Sequence, residues 1–285
     1  GYTLHEIPPN GQGIAALIAL GILEKFDLAS LPVDSTASQH LQIEAMKLAF
    51  ADVYRYVSER STMEVTTEQM LDDAYLASRA RLIDMRRAQD FQAGNPVKGG
   101  TIYLTAADEN GMMVSFIQSN YMGFGSGCVE PHYGISLQNR GYGFSLDAAS
   151  PNVVAPGKRP FHTIIPAFLT KDGQPVMSYG VMGGNMQPQG HMQTLVRMLD
   201  YRQGLQAACD APRWRFNKGL NINVEAAMNA ATVQGLKDLG HEIDVINDSY
   251  QDFGAGQFIW RAGNPAVEGY VAASDPRRDG LAAGY

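Results

Sequence analysis

The hydrophobic pattern divides the chain into two parts of different period. From Gly13 to about Phe26, Ile14, Leu17, Ile18 and Leu20 supply the apolar content of a predicted helix, with Asn10 as its candidate cap. A longer amphipathic helix is predicted from about Ser38 to Glu59. Ile43, Met46, Ala49, Val53 and Val57 recur there at helical spacing, while Glu44, Lys47, Arg55 and Glu59 fall elsewhere. Thr66-x-x-Gln69 has the form of a capping box and opens a third helical region reaching about Arg87. Up to Ala93 the pattern is helical.

Glycine and proline then interrupt it at Gly94-Asn95-Pro96 and again at Gly99-Gly100. From Thr101 the period falls to two. Thr101 to Ala107 and Met112 to Gln118 are predicted strands around a Glu109-Asn110-Gly111 turn. His162 to Leu169 and Val176 to Met182 form a second predicted hairpin around Lys171-Asp172-Gly173. Helices return at about Gln189 to Asp200 and Ala226 to Leu239. Short strands follow at Glu242 to Ile246, Gly256 to Trp260 and Gly269 to Ala273. Helices mixed with antiparallel hairpins define an α+β or layered class, and no internal repeat is present.

Composition narrows the function more than the fold. The 285 residues, 45% hydrophobic and 18% charged, suit one large globular domain or two small ones. A net charge of −7, with no basic cluster beyond pairs such as Arg86-Arg87 and Arg277-Arg278, argues against a nucleic-acid partner. The longest apolar run, Gly13 to Leu23, is shorter than the roughly 20 residues of a membrane span. Cys128 and Cys209 lack CxxC spacing and read as idle thiols. No metal or cofactor is expected, and nothing assigns a compartment.

Several familiar chemistries are excluded. His5-Glu6 and His241-Glu242 lack the second histidine of HExxH, and Gly157-Lys158 lacks the rest of a P-loop. Phe124 stands where a G-x-S-x-G elbow around Ser126 needs glycine. Gly123-x-Gly125-x-Gly127 has no following helix to make a dinucleotide site. Threonine chemistry remains. A threonine hydroxyl is a weak nucleophile unless a base takes its proton. Its own α-amino group, with a pKa of about 7.7–8.0, serves only after the preceding bond is broken. Thr101 after Gly99-Gly100 fits such a self-released nucleophile, and more simply a β-branched residue opening a strand. Local sequence leaves both readings open.

The wider chain resembles the gamma-glutamyltranspeptidases, a family of N-terminal-nucleophile hydrolases. The resemblance is carried by Thr101-Ile102-Tyr103-Leu104-Thr105 with Asp108, by "PPNGQGIAAL" upstream, and by "GFGSG", "PGKRPFHTIIP", "GVMGGNMQPQGH", "DAPRWR" and "ASDPRRDG" downstream, in that order. It implies a four-layer αββα sandwich made as a precursor that cleaves itself between Gly100 and Thr101. Residues 1–100 would be the C-terminal part of a large subunit, and 101–285 the small, catalytic subunit. Thr101 would then attack γ-glutamyl amides such as glutathione, passing the acyl group to water, an amino acid or a peptide. The resemblance further implies an oxyanion hole at the N–H groups of Gly183 and Gly184, and Ser119 as the hydroxyl that bonds the nucleophile. His162 and Thr163 occupy the places of paired serines that hold the substrate carboxylate; His162 reads equally as a structural histidine.

The chain also departs from the family pattern. Arg140 and Gly143, within "GISLQNRGYGFSLD", stand where an amide or acid and an aspartate bind the donor's ammonium. An arginine repels an ammonium and suits a carboxylate. The family's amine-binding asparagine corresponds to Tyr121, or to Asn120 with a one-residue shift. A glutaryl or other acyl amide, as in the cephalosporin-acylase relatives, is therefore an alternative donor. Pro151 to Pro160 leaves little length for a lid, which favours an open cleft and hydrolysis over transpeptidation. The family's carboxylate-clamping arginine lies before the segment matching Gly1, so the remaining large-subunit segment is an expected partner. A truncated or unprocessed, inactive piece is the third reading.

Overall fold

The computed structural model describes residues 1–91 and 100–285. In chain order its elements are β1 (Tyr2–His5), α1 (Ile14–Leu23), α2 (Thr36–Tyr56), α3 (Thr67–Met70), α4 (Asp73–Ala80), β2 (Gly100–Ala107) and β3 (Met113–Tyr121). The short pair β4 (Val129–Glu130) and β5 (Ile135–Ser136) comes next, then β6 (Ala167–Lys171), β7 (Gln174–Val181), α5 (Met186–Leu195) and α6 (Leu205–Asp210). β8 (Trp214–Lys218), β9 (Asn221–Glu225), α7 (Ala230–Asp238), β10 (Glu242–Ile246), α8 (Ser249–Asp252), β11 (Gly256–Arg261) and β12 (Tyr270–Ser274) complete it. The class is α+β. No described helix is long and apolar enough to cross a membrane.

Helix boundaries follow local capping. Ser35 caps α2 by accepting the Ser38 N–H at 3.2 Å. Asn10 does not cap α1: the helix begins after Gly13 without a side-chain cap, and Asn10 Nδ2 donates to the Pro160 carbonyl instead. The Thr66/Gln69 capping box forms, but its helix ends at Met70. Asp72 then starts α4 with a cap of its own, so one predicted helix is two. The predicted breakers Gly94-Asn95-Pro96 and Gly99 lie outside the described residues.

Two sheets organise the rest. β1-β6-β7-β11-β12 is antiparallel throughout, and alternation along β7 separates its faces. Met177, Tyr179 and Val181 enter a core with Leu195 of α5, Cys209 of α6, Phe258 and Ala273. Ser178, Gly180 and Met182 face the β2-β3 hairpin: Thr105 Oγ1 donates to Ser178 Oγ at 2.7 Å, and Tyr103 packs with Met182. A Cβ on Gly180 would stand 2.5 Å from the Tyr103 ring, so the ring occupies the glycine's empty space. The outward face of the hairpin stays apolar and open, with Ile102 60%, Leu104 48%, Val114 44% and Phe116 45% exposed.

The second sheet, β10-β9-β8, completes the larger core with α1, α2, α4 and α7. β8 is an edge strand whose free backbone groups α5 satisfies. Gln189 and Gln193 each pair with both the N–H and the C=O of one β8 residue, Phe216 and Trp214 respectively, at 2.7–3.2 Å. The "QPQGHMQ" run is thus a splice between helix and sheet. "DAPRWR" and "ASDPRRDG" meet in a buried ion network: Arg213 with Asp275 at 2.8 Å, and Arg277 with Glu225 at 2.6 Å and Asp275 at 3.0 Å.

One predicted strand is shorter than expected. Pro160 and Pro166 remove N–H donors, and β6 starts only at Ala167. His162 instead bridges Gly11, its N–H donating to the Asn10 carbonyl at 3.1 Å while its own carbonyl accepts from the Gln12 N–H at 3.1 Å. The strands β1, β4, β5, β8 and β9 are additions to the sequence prediction.

Candidate active site

Thr101 stands at a β-bulge. Gly100 pairs with Tyr121 and Ile102 with Gln118, so one residue of β2 faces two of β3, Ser119 and Asn120. A bulge re-aims side chains and frees backbone groups from the ladder. By alternation Thr101 shares the sheet-facing side with Tyr103 and Thr105. It lines an open cleft of about 1700 Å³ together with Met182, Gly183 and the C-terminal residues 278–285.

Gly183 and Gly184 lie between β7 and the N-terminus of α5, both at positive φ, 120° and 62°. A Cβ on Gly183 would sit 3.0 Å from Gly254 Cα and 3.2 Å from Met186 Cβ. Their carbonyls accept from Met186 and Gln187 N–H, at 3.1 and 3.2 Å. Neither of their own N–H groups meets an acceptor among the described residues. Two free amides at a helix N-terminus form a ready site for developing negative charge.

Ser119, Tyr121 and Arg140 form one cluster. Arg140 Nη2 donates to Ser119 Oγ at 2.6 Å and to its carbonyl at 3.1 Å, and the Tyr121 N–H donates to the same Oγ at 3.1 Å. With two donors on its oxygen, the Ser119 hydroxyl has its proton left to give. The guanidinium lies over the Tyr121 ring at 5.6 Å, and Tyr121 holds a left-handed φ of 79°. Asn120 contributes its carbonyl to the Asn139 N–H at 3.1 Å, which fixes the loop that carries Arg140.

His162 and Thr163 approach the site through a residue that the sequence reading missed. The fully buried Gln12 donates from Nε2 to the Thr163 carbonyl at 2.7 Å and to the Gly184 carbonyl at 2.8 Å. It thereby ties the candidate carboxylate-binding loop to the candidate oxyanion hole. The available signal was a polar Gln12 between two glycines, ahead of an apolar helix, inside a segment already singled out. Burial, with Arg140 and Arg159 adding to it, pushes the His162 pKa down to about 4. The ring is neutral at ordinary pH.

Gly143 has no room for an acid. A Cβ there would stand 2.4 Å from the Phe161 carbonyl oxygen, and Asn152 clamps both strands of this corner by accepting from Phe161 N–H at 3.0 Å and donating to the Gly143 carbonyl at 2.6 Å. Gly143→Asp is expected to cost about 1–3 kcal/mol by overpacking. A melting temperature equal to that of the parent protein would contradict this. Residues 151–160 are pinned, with Thr62 and Lys158 donating to the Pro151 carbonyl and Arg159 forked onto Glu59 at 2.7 Å.

A second polar cluster is buried away from Thr101. His40 Nδ1 and His241 Nε2 are 2.8 Å apart, Lys47 bonds Glu44 at 2.7 Å, and Lys47 Nζ lies 3.4 Å from His241 Nδ1. His40, Glu44 and His241 have ligand spacing for a metal ion. Lys47 already supplies the positive charge, and one tautomer satisfies every ring nitrogen, ending on the Asp84 carbonyl at 3.0 Å. The cluster is a complete hydrogen-bond relay that anchors residues 84–89.

Thr101 at its bulge thus faces Ser119, which Arg140 clamps, and shares a cleft with Gly183, an arrangement that suits nucleophilic attack beside an anion-binding amide. The gamma-glutamyltranspeptidase family profile matches residues 1–285, and the chain belongs to that family. It is 36% identical over all of its length to the glutathione hydrolase-like YwrD proenzyme of Bacillus subtilis, covering 54% of that protein. It is also 36% identical, over 99% of its length, to the oxamate amidohydrolase proenzyme of Klebsiella pneumoniae, covering 53% of it. The solved structure of cephalosporin acylase from Bacillus halodurans matches all of this chain and 51% of its own, with 48% identity and a TM-score of 0.92. The chain thus spans about half the length of the relatives it matches.

Proposed function

We propose that the chain carries the nucleophile of an amidohydrolase and acyltransferase that matures by cleaving its own Gly100-Thr101 bond. The observation that carries this reading is the position of Thr101: at a bulge opposite Ser119, in one cleft with the free Gly183 N–H. In maturation Thr101 Oγ attacks the Gly100 carbonyl carbon, the C–N bond breaks, and the resulting ester is hydrolysed to a Gly100 carboxylate and a free Thr101 amine. In turnover Oγ attacks the donor's amide carbon. Its proton passes to the Thr101 amine and on to the departing amine, leaving an ester on Thr101. Gly183 and Gly184 N–H hold the oxyanion, and the Ser119 proton is directed to the nucleophile. Water, or an amino acid or peptide amine, then takes the acyl group.

This cleavage puts residues 1–100 at the C-terminal end of the large subunit and residues 101–285 in the small one. The exposed apolar face of β2-β3 is where a fourth layer, the remaining large-subunit segment, completes an αββα sandwich around the helix, sheet and hairpin layers described above. Names among the relatives span glutathione, oxamate and cephalosporin-type amides, which supports amide cleavage as the shared reaction and a donor class wider than glutathione. The pinned residues 151–160 support an open cleft and transfer to water.

Trapping tests the acyl-enzyme. With hydroxylamine present, γ-glutamyl and glutaryl p-nitroanilides are expected to yield hydroxamates at the expense of free acid. Release of anilide with no hydroxamate at any hydroxylamine concentration would refute a threonine ester. The rate is expected to rise with pH as the Thr101 amine deprotonates near its ordinary value of about 7.7–8.0. His162, with its pKa near 4, adds no inflection between pH 5 and 9. A step near pH 6.5 that vanishes in His162→Gln would contradict that assignment.

A further inference from the structure

The sheet holds the approach to the glycine pair from one side only. Met182 N–H donates to the Ala255 carbonyl at 3.0 Å, just before β11. On the other side the neighbour of β7 is β6. Ala167 lies opposite Tyr179, and the same register would set Ile165 opposite Val181. That pairing is not made, because β6 begins only after Pro166, which has no N–H to give. The Val181 N–H, two residues before Gly183, is left without a strand partner.

Two side chains of α5 fill the gap. Gln187 Oε1 accepts the Ile165 N–H and His191 Nε2 accepts the Val181 N–H, each at 3.0 Å. They stand four residues apart, on one face of the helix. Gly190 lets that helix lie close, since a Cβ there would stand 2.5 Å from Val181 Cγ1. Glu6, which follows β1 directly, completes the chain of contacts. Its Oε1 lies 2.7 Å from His191 Nδ1, and both side chains are fully buried.

The backbone donor settles the tautomer. A ring nitrogen that accepts from Val181 carries no hydrogen, so the His191 proton sits on Nδ1 and is donated to Glu6. Burial pushes the Glu6 pKa up, and a proton it took would sit on Oε2, which is enclosed with no partner among the described residues. Oε1 is the acceptor in either state. A buried acid satisfied at one oxygen is a poor device for stability, since apolar side chains would fill the same space at less cost.

We infer that Glu6 and His191 are positioning residues for the oxyanion hole: through the Val181 N–H they set the end of β7, and with it the direction of the Gly183 N–H. This rests on Gly183 as an oxyanion donor. Gln12 holds the next peptide through the Gly184 carbonyl, so both glycines are aimed by buried side chains.

Release of p-nitroaniline by the mature enzyme tests the inference. His191→Phe keeps a ring and removes the acceptor. Its kcat is expected to fall about 10- to 100-fold with KM within about twofold, because a misdirected amide weakens the transition state more than substrate binding. His191→Gln carries an oxygen that can take the same N–H and is expected to recover part of the loss. In a Gly183→Ala background, His191→Phe is expected to cost less than about threefold further, since both changes spoil one amide. The full loss repeated in that background would show that His191 acts elsewhere and overturn the inference. Parental kcat in folded His191→Phe would do the same. Where that variant fails to fold, isosteric Glu6→Gln carries the test. Its amide can turn a donor toward Nδ1 and impose the other tautomer, so kcat is expected to fall about 3- to 10-fold in protein still folded by its thermal melt. Parental kcat there would sink the proposal. Parental kcat in Gly183→Ala would remove the oxyanion reading itself, whereas a loss in Gly183→Ala beside parental rates in the Glu6 and His191 variants would overturn only the positioning role.

Discussion

Thr101→Ala is expected to give a single uncut chain with no measurable turnover. The methyl group keeps the strand opening and the bulge with Ser119 and Asn120, so the fold persists while the attacking oxygen is gone. Loss of a covalent nucleophile costs on the order of 10⁴- to 10⁶-fold in kcat, and here it also removes the step that exposes the base. Thr101→Ser keeps an oxygen at the same position and is expected to mature, though more slowly, because serine lacks the branch that restrains its rotamer. Denaturing mass spectrometry reads maturation, and anilide release reads turnover. Cleavage that survives in Thr101→Ala would assign the nucleophile elsewhere.

Gly183→Ala is the second large effect, expected to lower kcat by about 10²- to 10³-fold, the range for one lost oxyanion donor. At φ 120° a side chain is strained, and its Cβ would press on Gly254 Cα at 3.0 Å. Gly254 cannot yield, since its own φ is 66° and the Met182 carbonyl lies 2.0 Å from where its Cβ would be. The peptide at Gly183 must therefore turn, carrying its N–H away from the cleft. KM is expected to change less than kcat, because the amide serves charge that develops in the transition state. A thermal melt separates this from unfolding. A variant with parental kcat would remove Gly183 from the oxyanion hole.

How much of this was legible in the sequence depends on the range of the interaction. Periods of 3.6 and 2 announced α1, α2, the β2-β3 hairpin and the Lys171-Asp172-Gly173 turn, because one buried face writes a repeat into consecutive residues. The Thr66/Gln69 box was visible for the same local reason. Asn10 misled: its residue type suits a helix cap, but the Pro160 carbonyl 150 residues away takes its amide. His162 misled in the same way, since apolar alternation signalled a strand that flanking prolines prevent. β8 was missed because helix glutamines satisfy its edge.

At the site, family resemblance singled out Thr101, Ser119 and the glycine pair as candidates, while periodicity alone left Thr101 undecided. Gln12, which joins Thr163 to Gly184, carries no local signature, since its two partners lie more than 150 residues away. The unpaired state of Arg140 is likewise a property of the packed chain. A sequence records that an arginine is present, and only the fold shows that no acid among the described residues meets it.

The central claim is that Gly100-Thr101 is the scissile bond and Thr101 the residue released by it. Intact mass of the purified protein under denaturing conditions tests this most directly. Two polypeptides are predicted, one ending at Gly100 and one beginning at Thr101, their masses summing to the precursor plus one water. A single uncut chain with anilide-releasing activity, or a cut at any other bond, would contradict it.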